Sequence, residues 1–444
     1  MRRARSVLLL VLAAAASACG SEDARGRPSV ILISIDTLRA DHVGLYGYER
    51  DTTPFLDRFA EHALVFEHAF TPTAWTLPAH MTMLTGLFPA QHGVEMEDLA
   101  LAPGIPTLAE TLQHAGYQTV GLYRRSWVHE RHGFGRGFDV FRAHMEAEEA
   151  GQHLREELAR LDHDRPLFLF VHLYDVHNGG THDATSVVYP SPQPYQDLFL
   201  DEGSTPMPDV PSDEIWDGKV KLTDAQLRTL VAQYDGGIRY VDAKLEEWFG
   251  WLEREGWLKD ALVVVTADHG EPLGQRGGEL GGHGGFAQEG LHVPLVVRPV
   301  ALLAEQRRVL EPAHLVDVVP TVLDAAGLPP DARLPGESLL RPLAPDRVIT
   351  GSSSVPPSGY VVRWPLKVLQ RDGGRCLSVD LEQDPGELQY HKAPRELYHE
   401  LLGHALPSDV QFPAASHIDP LPAAERQMLS DLGYAGGAGD DEKK

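Results

Sequence analysis

Val30-Ile31-Leu32-Ile33-Ser34-Ile35 is a nearly unbroken apolar, β-branched run that ends abruptly on Asp36. Such a run predicts a strand buried on both faces, not one alternating between core and solvent. The pattern recurs at residues 167–173, 261–266 and 293–297. Helical patterning fills the intervals. Thr53-Pro54 opens one helix with a capping residue and proline in its first turn. Residues 107–115 form another, stopped by Gly116. Thr223-Asp224-Ala225-Gln226 opens a long amphipathic helix as a capping box, which Gly236-Gly237 is expected to bend. Alternating strands and helices imply an α/β fold, a mostly parallel central sheet with helices on both faces. Ligand sites in such sheets lie beyond the carboxyl ends of the strands. Three of these runs deliver metal-type side chains there: Asp36, then Asp175 and His177, then Asp268 and His269.

Composition narrows the partners. With 444 residues, 43% of them hydrophobic, the chain can bury a large core. A net charge of −25 argues against a nucleic-acid partner and against adsorption to anionic lipid by charge alone. A basic pocket inside an acidic shell still admits small anionic substrates. No protein partner is evident.

The ends read differently from the middle. Arg2, Arg3 and Arg5 precede an apolar stretch at 7–16, too short for the roughly 20 residues that span a bilayer. Residues 1–18 therefore read as a signal peptide. Ala16-Ser17-Ala18-Cys19-Gly20 resembles the lipobox of bacterial lipoproteins, making Cys19 the expected lipid-anchored residue. A plain secretory signal with an incidental Cys is the alternative, and either way the protein is exported. Gly20 after Cys19 permits sorting to the outer membrane, and the periplasmic face of the envelope is the other expected location. Residues 19–28 form a tether and 29–345 the main catalytic domain. Short β-like pieces at 359–363, 366–371 and 375–380 predict a small antiparallel C-terminal subdomain over 346–435. Residues 436–444 have the composition of a disordered tail. Without Cys19 only Cys376 remains, so no intramolecular disulfide can form.

Each chemical candidate has a bland alternative. Asp36 is a hard-cation ligand or the N-cap of the following segment. Thr76, in Trp75-Thr76-Leu77-Pro78-Ala79-His80-Met81, puts a stiff hydroxyl at a helix N-terminus that favours anions, or is an ordinary capping threonine. Asp268-His269-Gly270-Glu271 offers two ligands around a sharp turn that Gly270 permits, or forms a solvated turn. His177 and His283 are candidate anion binders or proton donors. The glycine-rich stretch 277–285 either approaches a ligand with its backbone or is a flexible surface loop.

Taken in order, these segments resemble the sulfatase family of the alkaline phosphatase superfamily. The resemblance runs from about residue 29 to 387. It rests on Ile33-Ser34-Ile35-Asp36-Thr37-Leu38-Arg39-Ala40-Asp41, Thr85-Gly86-Leu87-Phe88-Pro89, His92-Gly93 and the stretch 266–271. Leu315-Val316-Asp317-Val318-Val319-Pro320-Thr321, Gly327-Leu328-Pro329 and Asp380-Leu381-Glu382-Gln383-Asp384-Pro385-Gly386-Glu387 complete it. The resemblance implies that Asp36, Asp268 and His269 hold one divalent ion (calcium, manganese, zinc or magnesium) against a nucleophile at position 76. It also implies that His80, His177 and His283 face the substrate's anionic group.

The departures from the family pattern decide the expected chemistry. Sulfatases carry Cys or Ser at the position of Thr76, oxidised to formylglycine, and Arg at the position of His80. Thr37 replaces a second Asp, and the expected Lys-rich motif is missing, with Arg124 or Arg125 as substitutes. Threonine cannot become formylglycine, so none is expected. A formylglycine hydrate expels sulfate by re-forming its carbonyl; a sulfated threonine has no such exit, whereas a phosphorylated one is cleared by attack at phosphorus. Related branches with a threonine nucleophile include nucleotide pyrophosphatase/phosphodiesterases, phosphoethanolamine transferases and lipoteichoic acid synthases. The expectation is a metal-dependent hydrolase of an anionic ester, phosphate or phosphonate before sulfate, acting through Thr76. The alternatives are a sulfatase proper and a non-catalytic lipoprotein that binds polyanions.

Overall fold

The computed structural model describes residues 24–178, 188–210, 214–215, 219–276, 280, 285–354, 357–405 and 410–420. Residues 1–18, expected to be a signal peptide, and Cys19, His283 and the C-terminal residues 436–444 lie outside them. The strands of the main body are β1 (Ser29–Ile35), β2 (Leu64–Phe66), β3 (Ala69–Phe70), β4 (Leu99–Ala100), β5 (Gln118–Arg124) and β6 (Val140–His144). They continue with β7 (Leu167–Leu173), β8 (Ala261–Thr266), β9 (Leu295–Arg298), β10 (Arg307–Val309) and β11 (Ala313–His314). Eight of them make one sheet in the order β10-β2-β9-β8-β1-β7-β5-β6.

The sheet is mostly parallel. Its antiparallel member is β9, which pairs antiparallel with both β8 and β2. Every residue of β5, β7 and β8 is buried, so both faces of the central strands are covered, as the apolar runs of β7 and β8 require. The helices are α1 (Pro54–Phe59), α2 (Thr76–Thr85), α3 (Pro89–His92), α4 (Leu108–His114) and α5 (Ala147–Leu158). The later ones are α6 (Asp224–Arg254), α7 (Gln288–Leu291), α8 (Val318–Ala325) and α9 (Arg395–Ala405). Thr223 caps α6 through a full capping box, as its sequence predicts, and Thr107 caps α4 in the same way.

Tertiary contacts account for Gly236-Gly237, and they overturn one expectation, that Asp175 points past the sheet edge. The helix α6 runs without interruption through Gly236-Gly237. These glycines admit close neighbours instead, since a Cβ would sit 2.3 Å from Tyr195 O at one and 2.9 Å from Asp175 O at the other. Asp175 also turns away from the sheet edge, accepting from Ala147 N at 3.0 Å at the start of α5. A carboxylate at a helix N-terminus satisfies a donor that the helix itself cannot.

The C-terminal sheet has the order β12-β13-β14-β15-β16 and is antiparallel throughout. Its strands are β12 (Val348–Ser354), β13 (Pro357–Arg363), β14 (Leu366–Gln370), β15 (Cys376–Asp380) and β16 (His391–Lys392). Beyond it, β17 (Ser416–His417) returns to pair with β4 of the main body. Cys376 is a buried free thiol, so packing supplies the stability. No described helix is long and apolar enough to cross a membrane.

Candidate active site

Register brings the candidates together. Ser34 of β1 lies beside His172 of β7 on one side and Thr266 of β8 on the other. Parallel strands advance together, so two residues later Asp36, Tyr174 and Asp268 emerge in one row past the carboxyl ends. Asp36, Asp268 and His269 are completely buried, which removes the solvated-turn alternative. Arg39, not Asp36, caps the next short turn, Ala40–His42.

Thr76 reaches this row as the first residue of α2. Trp75 takes the N-cap position, so the threonine hydroxyl is not spent on capping. Its Oγ1 lies 3.2 Å from His269 Nε2.

The surrounding hydrogen bonds select which ligand atoms remain. His172 Nε2 contacts Asp36 Oδ2 at 2.9 Å, leaving Asp36 Oδ1 without a partner. Asp268 Oδ1 accepts from His269 N at 2.8 Å and Thr37 N at 3.2 Å, leaving Asp268 Oδ2 without a hydrogen bond. His269 Nδ1 donates to Gly270 O at 2.8 Å, which fixes the tautomer and presents Nε2. Ligand atoms of Asp36, Asp268 and His269 all lie within 4.8 Å of one another. Buried carboxylate oxygens with no donor are costly, and a shared cation is the usual remedy. Burial pushes Asp36 up to about 7, against the opposing pull of His269 and Thr76, and burial raises Asp268 as well. The donor set therefore fits one divalent ion.

His80 does not face a substrate. Its Nδ1 donates to Thr76 O at 3.0 Å and approaches Asp268 Oδ2 at 3.3 Å, while Nε2 accepts from Ser34 Oγ at 2.9 Å. One helical turn separates Thr76 from His80, so the ring lies behind the metal row, fully buried. Where the family pattern has a long cation that can reach a ligand, this short imidazole braces the cluster. Burial drives its pKa down to about 3, so it is a neutral donor.

His172 is the residue that sequence reasoning missed. A lone histidine inside the apolar run of β7 reads as core filler, and its link to Asp36 spans 136 residues. The available signal was its place, one residue before the strand's carboxyl end in a fully buried run. Burial lowers its pKa to about 3, and its ring packs 4.4 Å from His80.

Thr37 adopts a left-handed backbone, φ 55, unusual for a β-branched residue. Its N–H serves Asp268 while its carbonyl accepts from Tyr234 OH at 2.7 Å. Strain of this kind persists where surrounding bonds over-determine it.

The flank toward β5 is cationic and aromatic. The Arg124 guanidinium sits 5.5 Å over the Tyr174 ring, and Tyr174 stacks on His177 at 4.1 Å. His177 is buried, with Nδ1 against Asn178 O at 2.9 Å. The structure thus gathers Asp36, Thr76, Asp268, His269 and His80, with His177 beyond the end of β7, and His283 lies outside the described residues.

Comparison with known proteins identifies the family. A family model described as Sulfatase matches residues 28–328. An N-acetylglucosamine-6-O-sulfatase of Bacteroides thetaiotaomicron is 23% identical over 430 residues, spanning 76% of this chain and 75% of that protein. A choline-sulfatase of Rhizobium meliloti is 23% identical over 353 residues, spanning 68% of each. In fold, the phosphonate monoester hydrolase of Agrobacterium radiobacter superposes with a TM-score of 0.67 at 20% identity, covering 85% of this chain and 94% of that one. The chain belongs to the sulfatase family of the alkaline phosphatase superfamily, a family of ester hydrolases.

Proposed function

We infer that this protein is a metal-dependent hydrolase of phosphate or phosphonate esters that uses Thr76 as its nucleophile. The observation carrying this is the 3.2 Å approach of Thr76 Oγ1 to His269 Nε2, beside Asp36 Oδ1 and Asp268 Oδ2, neither of which accepts a hydrogen bond. Asp36, Asp268 and His269 would hold the cation, which lowers the hydroxyl's pKa and neutralises charge on the transferred group.

The residues then divide the work. Thr76 Oγ attacks phosphorus in line, forming a P–Oγ bond as the bond to the leaving oxygen breaks. With its pKa lowered beside that cation, the hydroxyl would release its proton to water as it attacks. His177, with Nδ1 engaged by Asn178 O, is the candidate proton donor to the leaving oxygen, with His283 as the other. The N–H groups at the start of α2 favour the phosphoryl oxygens. Water attack at phosphorus then breaks the P–Oγ bond and restores Thr76. The same sequence fails for sulfate, because threonine cannot expel the group through a carbonyl.

The names of the sulfatase relatives favour the second reading, a sulfatase proper acting on a sulfated saccharide or similar ester. Metal analysis of the purified protein, then a screen of aryl phosphate, phosphodiester, phenylphosphonate and aryl sulfate, separates the two. The expected result is one bound divalent ion, turnover of a phosphorus ester, at least a ~10^3-fold loss on chelation, and recovery when the ion is returned. Preferred sulfate turnover, with a modified residue 76 by peptide mass, would establish the second reading. No metal and no turnover would leave a polyanion-binding protein. Export and lipid attachment at Cys19 belong to the same proposal. Cys19→Ala should shift the protein from the membrane fraction to the soluble one, and unchanged fractionation would remove the anchor.

A further inference from the structure

The segment Asp384-Pro385-Gly386-Glu387 lies in the C-terminal subdomain, and its last residue is completely buried with a left-handed backbone, φ 51. Glu387 is among the most heavily bonded carboxylates described. Its Oε1 accepts from Lys367 Nζ of β14 at 2.6 Å. Its Oε2 accepts from Gln288 N at 2.8 Å, Tyr390 OH at 2.8 Å and Arg276 Nη2 at 3.3 Å. Arg276 also donates to Glu387 O at 3.0 Å and Gly386 O at 3.2 Å, and grips Glu289 with contacts of 2.5 and 2.9 Å.

These bonds converge on α7, whose backbone touches both metal-bearing loops. Gly290 O accepts from Gly270 N at 3.0 Å, next to His269. His292 O, just past the helix, accepts from Ala40 N at 3.3 Å, four residues beyond Asp36. A continuous path thus runs from the C-terminal sheet through Lys367, Glu387 and α7 to the loops that carry the ligands on β1 and β8.

We propose that Glu387, with Arg276, is a positioning residue for the metal site: it clamps α7 so that the Asp36 and His269 loops are held at one ligand separation. The C-terminal subdomain is then part of the metal site's scaffold. This rests on Asp36, Asp268 and His269 binding a cation. Residues that orient metal ligands typically carry 10- to 100-fold in affinity when removed.

Two variants of the full chain test it, read by titrating the metal-free protein with calcium, manganese and zinc salts well below its Tm. Arg276→Gln changes a side chain that is only 25% exposed and leaves the buried Lys367–Glu387 pair intact. The double change Lys367→Met/Glu387→Leu removes that pair together, so no buried charge is stranded. Both should weaken binding of the preferred ion about 10- to 100-fold while the far-ultraviolet spectrum stays that of the parent. Activity at saturating metal should recover most of its lost kcat, which a generally damaged fold would not do. Affinity within twofold of the parent in folded Arg276→Gln overturns the proposal, and that variant decides alone if the double change does not fold. A parent protein that binds no divalent ion would instead overturn the metal-site reading itself.

Discussion

Thr76→Ala is expected to abolish turnover of any ester this protein hydrolyses while leaving its bound metal in place. The Thr76 hydroxyl is the one that stands 3.2 Å from His269 Nε2, and the three ligands do not need the threonine to stay together. Removing a nucleophile that acts as part of a unit costs at least about 10^4-fold in kcat. Metal content by elemental analysis should stay at the parent value, since Asp36, Asp268 and His269 are untouched. Thr76→Ser keeps the oxygen but gives up the stiff β-branched rotamer, so it should retain measurable activity below that of the parent. Equal rates for the alanine variant and the parent would take Thr76 out of the chemistry.

Gly270→Ala is expected to be the most disruptive small substitution near the site. Gly270 is absent from the positive-φ glycines, so an unusual turn is not why glycine stands there. The constraint is contact. An added Cβ would lie 2.2 Å from Glu289 O and 2.8 Å from Arg39 Cγ. The closer atom is backbone on α7, which Arg276 and Glu387 hold fast through Glu289 and Gln288, so it cannot step aside cheaply. Overpacking of this kind costs about 3 kcal/mol, and here the displaced backbone adjoins His269. Urea unfolding should show that loss, together with weaker metal binding. A variant as stable and as metal-loaded as the parent would mean that the two loops slide apart freely.

The two predictions differ in how much of their basis is visible in the chain. That Thr76 matters can be read locally, from a hydroxyl ahead of Pro78 at the start of a helix. That Gly270 matters can also be read locally, but for the wrong reason, because the crowding comes from a segment near residue 289. His80 shows the same division. Its spacing of four from Thr76 places it on the right helix face, yet the substitution of a short ring for a long cation moves its role from the substrate to Ser34 and Asp268. Asp175 looked equivalent to Asp36 at a strand end, and only the nearby start of α5 drew it away.

Local pattern was sufficient for β1, β7, β8 and β9, for the helices opened at Thr53, Thr107 and Thr223, and for the row of Asp36, Asp268 and His269, because an unbroken apolar run buries itself on both faces and must expel its first polar residues at the sheet edge. Strands β2, β5, β6 and β10 carry no such run and were legible only in the fold. Tertiary structure alone decided that His172 orients Asp36, that β9 runs antiparallel, and that Glu387 reaches the metal loops through α7. Those facts depend on register between strands and on contacts across about a hundred residues or more of chain. Such contacts leave no periodicity in a sequence, since each partner satisfies its own local rules wherever the other lies.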